Sequence, residues 1–133
     1  MFPAARSWHS GGVHLRCLLV DDNDAFLRAA SVLLEGEGMT VAGVASTIAE
    51  ALLQIEALRP DVILIDIGLG DESGFDLARR VAGNGADATV IMISTRAEAD
   101  YADLIAETPA AGFLAKSELS ARGIGQLHGD AGA

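Results

Sequence analysis

Asp66 closes the apolar run Val62 to Ile65 and opens a loop rich in glycine and acid, IGLGDESG. A buried strand that ends on a carboxylate sets that carboxylate at a sheet edge, where open α/β sheets carry their chemistry. Three other apolar runs end on a polar side chain. Leu15 to Val20 meets Asp21 and Asp22, the strand Thr89 to Ser94 ends on the Ser94 hydroxyl, and Gly112 to Ala115 meets Lys116. As parallel strands of one sheet, these runs would bring their ends to a common edge. Three packed carboxylates repel one another strongly unless a cation or the Lys116 ammonium lies among them. Mg²⁺ suits such a set, because it is held by one or two carboxylates and water while a phosphoryl group completes its shell. A carboxylate such as Asp66 can attack phosphorus and form an acyl phosphate. Lys116 and the Ser94 hydroxyl would then bind the equatorial oxygens.

The segments between these runs have helical spacing. Phe26, Leu27, Ala30, Leu33 and Leu34 form one stripe, with Asp24 as the expected N-cap and Gly36 to Gly38 as the stop. Thr40 to Ala45 reads as a short β-branched strand. Ser46 or Thr47 then caps a helix carrying Ile48, Leu52, Ile55 and Leu58, which Pro60 ends. Phe75, Leu77, Ala78, Val81 and Ala82 supply a third helix, closed by Gly83 to Gly85. A weaker helix is expected over about residues 97–106 before Pro109, and a last one over Ser117 to Leu127, where Gly123 and Gly125 weaken it. Five strands alternating with five helices imply an α/β fold, a doubly wound five-stranded parallel sheet with helices on both faces.

With 133 residues, half of them hydrophobic, the chain fits a single folded domain with a real core. Residues 1–14 mix Gly, Ser, Pro and His without periodicity and read as a loose leader, with Trp8 and His9 free to pack on the surface. The domain is expected over residues 15–133, with no room for an output domain. Nine basic residues against a net charge of −10 argue against direct nucleic acid binding. Cys17 is the only cysteine, which rules out an internal disulfide and reads as a buried strand thiol. No run approaches the roughly 18 apolar residues of a membrane span, so a reducing, cytoplasmic location is expected. His9, His14 and His128 share no metal-ligand spacing. Arg79, Arg80, Glu98, Asp100 and Asp103 read as a solvent-facing set.

Over about Leu15 to Leu127 the chain resembles the receiver domain of two-component response regulators. The residues that carry the resemblance are Asp21-Asp22, Asp66 after VILI, Gly74 eight positions on, Ser94 after VIMI, and GFLAK with Phe113 and Lys116. The resemblance implies a flavodoxin-like strand order 2-1-3-4-5 and a phosphoprotein in a phosphorelay, with Asp66 as the acceptor of a phosphoryl group from a histidine kinase or phosphotransfer protein. It implies Mg²⁺ held directly by Asp22, Asp66 and the Gly68 carbonyl, with Asp21 acting mostly through water. It also implies that Ser94 and Phe113 act as switch residues. They would remodel the face made by the fourth helix, fifth strand and fifth helix, toward an unknown downstream protein target or a homodimer partner. GFLAKSEL is closest to the branch that usually carries a helix-turn-helix output domain.

Three positions depart from the family pattern. Gly70 stands where most members have Pro, so a more mobile loop is expected there. Thr95 replaces a residue that is commonly Ala, adding bulk near the phosphoryl position, and Ser117 replaces a frequent Pro. Gly70 and Thr95 motivate an alternative, an atypical receiver that binds partners without being phosphorylated. An enzyme of the haloacid dehalogenase type, an aspartyl-nucleophile phosphatase, is disfavoured because it needs a second Asp two residues after the nucleophile, where this chain has Gly68. The expectation is therefore a signalling module and not an enzyme.

Overall fold

The computed structural model describes residues 15–95 and 101–132. Five parallel strands form the sheet: β1 (Arg16–Val20), β2 (Thr40–Ala45), β3 (Val62–Asp66), β6 (Thr89–Ser94) and β7 (Gly112–Ala115). Their order is β2-β1-β3-β6-β7. Numbered without the two small strands β4 (Gly68–Leu69) and β5 (Glu72–Ser73), this is the expected 2-1-3-4-5. The central strands are apolar throughout because both of their faces are covered.

Alternate residues of these strands enter two separate core layers, as the pleat requires. Leu18, Val20, Ile63, Ile65 and Met92 pack against Ile48 and Ala51 of α2 (Ile48–Leu58) and Phe75, Leu77, Ala78 and Val81 of α3 (Gly74–Gly83). Cys17, Leu19, Leu64, Ile91 and Ile93 pack against Leu27, Ala30 and Leu34 of α1 (Asp24–Gly36) and Ala121 and Ile124 of α5 (Ala121–Gly132). Burial, reinforced by the Glu35 charge, pushes the Cys17 thiol up to about 12, so it stays protonated at neutral pH.

Several ends differ from the sequence-based expectation. Asn23, not Asp24, caps α1: its side chain accepts from the Phe26 N–H at 3.1 Å, and Asp24 lies in the first turn. Both residue types cap well, and the backbone places the neighbour in the extended cap conformation. Thr47 caps α2, and Glu50 returns to the Ser46 N–H at 2.7 Å.

The last helix begins later than expected. Lys116–Glu118 form a 3₁₀ turn, and α5 runs from Ala121 to Gly132 through both glycines. Glu37, at the end of α1, fixes the start by accepting from the Ala121 N–H at 2.7 Å. Of the fourth helix, α4 (Ala102–Ala106) is observed. Residues 96–100, with Glu98 and Asp100, and residues 1–14, with Trp8, His9 and His14, lie outside the described residues. Arg79, Arg80 and Asp103 are exposed.

Strict alternation also breaks once. After β3 the chain forms a small antiparallel pair, β4 (Gly68–Leu69) with β5 (Glu72–Ser73), before α3 begins.

Candidate functional site

Because β1, β3, β6 and β7 run parallel, their carboxyl ends bring the sequence-identified residues to one edge. Carboxylate oxygens of Asp21, Asp22 and Asp66 lie within 4.8 Å of one another. Asp21 is buried, and its own N–H donates to the Ala45 carbonyl at 3.0 Å. Its carboxylate accepts from the Asn23 N–H at 2.9 Å and from the Lys116 ammonium. The same ammonium lies 3.6 Å from Asp66 Oδ1.

Among the described residues, Lys116 is the one cation paired with these carboxylates, and one ammonium does not neutralise three of them. Burial, helped by the Asp21 charge and then by Asp22, raises the Asp66 carboxyl to about 6 against the opposing pull of Lys116. A cluster of hard oxygen donors with uncompensated negative charge fits a divalent cation such as Mg²⁺. Asp22 is exposed, which leaves it open to such an ion.

The loop after Asp66 is shaped by two glycines. A Cβ on Gly74 would lie 2.0 Å from the Asp66 carbonyl oxygen. Only glycine lets α3 start this close to the end of β3, and its N–H donates to the Ile67 carbonyl at 2.7 Å. Gly70 has φ +65°, and a Cβ there would stand 3.6 Å from Asp22 Oδ2. Proline, held near φ −65°, cannot adopt this backbone. The glycine permits the tight turn that joins β4 to β5. Gly68, whose carbonyl is the expected ligand, is the exposed first residue of β4.

Ser94 is buried at the end of β6, opposite Ala115 in the ladder. Thr95 follows it and is exposed. Phe113, in β7 beside Met92, is half-buried against the core layer of α2 and α3. His128 is locally packed, its Nδ1 2.8 Å from Thr89 Oγ1, away from the acidic site.

Two contributors are not evident in the sequence. Phe26 reads there only as part of the α1 stripe, yet the Lys116 ammonium lies 4.1 Å from its ring centroid, a cation–π placement. Glu72 reads as a loop acid, yet its carboxylate accepts from the Ile48 N–H of α2 at 2.9 Å. Aromatic character next to the acidic pair was the one available signal for Phe26. None existed for Glu72.

The sheet whose carboxyl edge carries this cluster and lysine is the fold of a known family. The chain belongs to the response regulator receiver domain family, which matches residues 17–125. It is 34% identical over 110 residues to the KDP operon transcriptional regulatory protein KdpE of Escherichia coli, covering 83% of this chain and 46% of that protein. It is 27% identical over 103 residues to the response regulator GacA of Pseudomonas viridiflava, covering 77% of this chain and 48% of that protein. The chain thus spans about half the length of these curated relatives.

Among solved structures, the signal receiver domain of NarL from Mycobacterium tuberculosis superposes with a TM-score of 0.73 at 28% identity, covering 84% of this chain and 90% of that one. A CheY-like response regulator receiver domain from Methanospirillum hungatei gives 0.68 at 29% identity, covering 78% and 82%.

Proposed function

We propose that this receiver domain takes a phosphoryl group on Asp66 from the phosphohistidine of a histidine kinase or phosphotransfer protein. An Asp66 carboxylate oxygen forms the new O–P bond as the P–N bond to imidazole breaks, and the electron pair leaves with the imidazole nitrogen, which takes up a proton. The observation that carries this reading is the convergence of Asp21, Asp22 and Asp66 within 4.8 Å, with the Lys116 ammonium bonded to Asp21 and 3.6 Å from Asp66.

Asp21, Asp22, Asp66 and the Gly68 carbonyl are the residues that would hold Mg²⁺. The bound ion supplies charge neutralisation for the transferring phosphoryl oxygens. Lys116 is restrained by Asp21 and Phe26, so its charge is already in place for a phosphoryl oxygen, which lowers the reorganisation needed during transfer. Ser94 donates its hydroxyl hydrogen bond to an oxygen of the Asp66 phosphoryl group. Its movement, with that of Phe113, shifts the face of α4, β7 and α5 toward a downstream protein target or a second copy.

The chain acts as an acceptor and signalling module rather than as an enzyme, in the cytoplasm with its kinase. Its charge of −10 opposes direct nucleic acid binding by this domain. Among the described residues, no helix is long and apolar enough to cross a membrane.

The test is incubation with acetyl phosphate and Mg²⁺, followed by intact mass measurement. One phosphoryl mass should be gained, and gained neither in EDTA nor by Asp66→Asn. An unchanged mass for the unsubstituted chain would remove the proposal.

A further inference from the structure

The hairpin that carries the Gly68 carbonyl consists of two residue pairs, Gly68 with Ser73 and Leu69 with Glu72. So short an antiparallel pair has little stability of its own and needs anchoring from outside. Leu69, 3% exposed, ties one strand to the core. Ser73 and Gly74 tie the other end to α3 and to Ile67, through bonds from Phe75 N–H to Ser73 Oγ and from Gly74 N–H to the Ile67 carbonyl. Glu72 makes the long-range bond: its Oε1 accepts from the Ile48 N–H at 2.9 Å, 24 positions away in sequence.

Ile48 is the first residue of an eleven-residue helix. The first N–H groups of a helix have no intrahelical acceptor and carry partial positive charge, so a carboxylate there is favoured. The donors around this helix start are shared out: Thr47 takes the Glu50 N–H, Glu50 takes the Ser46 N–H, and Glu72 takes the Ile48 N–H. Glu50 secures only the helix, whereas Glu72 joins the helix to the acceptor loop.

We infer that Glu72 is a positioning residue for the cation site, clamping the Gly70 hairpin to the start of α2 so that the Gly68 carbonyl is held toward the acidic cluster. This inference rests on the proposed Mg²⁺-dependent function. It gives the Gly70 turn its purpose. With Gly70 at φ +65° in place of a rigid proline, the loop takes its rigidity from the Glu72 bond instead. It also makes α2 an element that feels occupancy of the site.

The test compares Glu72→Ala, Glu72→Gln and Glu50→Ala in the full chain. Mg²⁺ is titrated against amide NMR shifts, and hydrogen exchange of the hairpin amides is measured without metal. Glu72→Ala should raise the Mg²⁺ Kd roughly five-fold and speed hairpin exchange by a similar factor, the size of a lost capping bond. Its acetyl phosphate rate should fall at low Mg²⁺ and recover at saturating Mg²⁺. Glu72→Gln, which keeps an acceptor, should restore most of the affinity. Glu50→Ala should destabilise α2 yet leave the Kd and hairpin exchange unchanged.

A normal Mg²⁺ response with equal Kd in the unsubstituted chain and Glu72→Ala would overturn this inference alone. So would an equal weakening by Glu50→Ala, or unchanged hairpin exchange in Glu72→Ala. No Mg²⁺ response in the unsubstituted chain would overturn the proposed function as well.

Discussion

Two helices follow strands that end at the same sheet edge, α3 after β3 and α4 after β6, and their described residues are anchored very differently. α3 is ten residues long, buries Gly74, Phe75, Leu77, Ala78 and Val81, and is capped by Ser73. α4 is five residues long, buries none of them, and has no side-chain cap. Among the described residues, Ile105 of α4 and Tyr101 just before it pack against the core, with the Tyr101 ring centroid 6.4 Å from that of Phe75. The chain ahead of α3 carries Asp66 and the hairpin, that ahead of α4 Ser94 and Thr95. The proposed function, which pairs a fixed cation site with a moving outer surface, fits this division, since switching elements come from the least stable parts of a fold.

Truncating one leucine in each helix tests this difference in anchoring. Leu77→Ala in α3 removes a fully buried side chain and should cost about 2–5 kcal/mol in chemical denaturation. Leu104→Ala in α4, at a side chain 50% exposed, should change stability by no more than about 0.5 kcal/mol. Equal costs would mean that the two helices are equally fixed.

Gly74→Ala drives a methyl group against the Asp66 backbone, 2.0 Å from its carbonyl oxygen. A cost of about 1–3 kcal/mol is expected, as for overpacking, together with slower phosphorylation. Unfolding midpoints and initial rates measured on the same preparation check both.

Asp66 itself gives a pH test. Its carboxyl is raised from 3.8 to about 6 in the folded chain, so the folded state binds the proton more tightly than the unfolded one. Stability therefore falls as pH rises from about 4 through 6. Asp66→Asn avoids that loss. In EDTA it should be more stable than the unsubstituted chain by about 1–2 kcal/mol at pH 7, with the advantage gone below pH 4. Denaturation curves across that range read it directly.

The smallest effect belongs to the end of β6. Thr95 is exposed beside buried Ser94. Thr95→Ala should leave stability within about 0.5 kcal/mol and raise the acetyl phosphate rate by a few-fold through easier access. A rate unchanged by Thr95→Ala would mean that its bulk does not guard the site.

The strands were legible because buried parallel strands read as continuous apolar runs bounded by polar ends. Thr40–Ala45, Thr89–Ser94 and Gly112–Ala115 appear in the structure with the expected bounds. The cluster of Asp21, Asp22, Asp66 and Lys116 was legible for the same reason, since topology alone brings strand ends together. Features made by tertiary contact were not. The β4–β5 pair is too short for any period to register. The start of α5 is fixed by Glu37, 84 positions away. Choosing Asn23 over Asp24 as a cap depends on the local backbone, and Phe26 beneath Lys116 depends on how the start of α1 meets the turn after β7.

Phosphorylation of Asp66 is tested most directly by locating the phosphoryl group. After treatment with acetyl phosphate and Mg²⁺, borohydride reduction converts an aspartyl phosphate to homoserine, which peptide mass spectrometry then finds. Homoserine at position 66, absent without Mg²⁺, is the expected result. Homoserine at another aspartate, or at none, would contradict it.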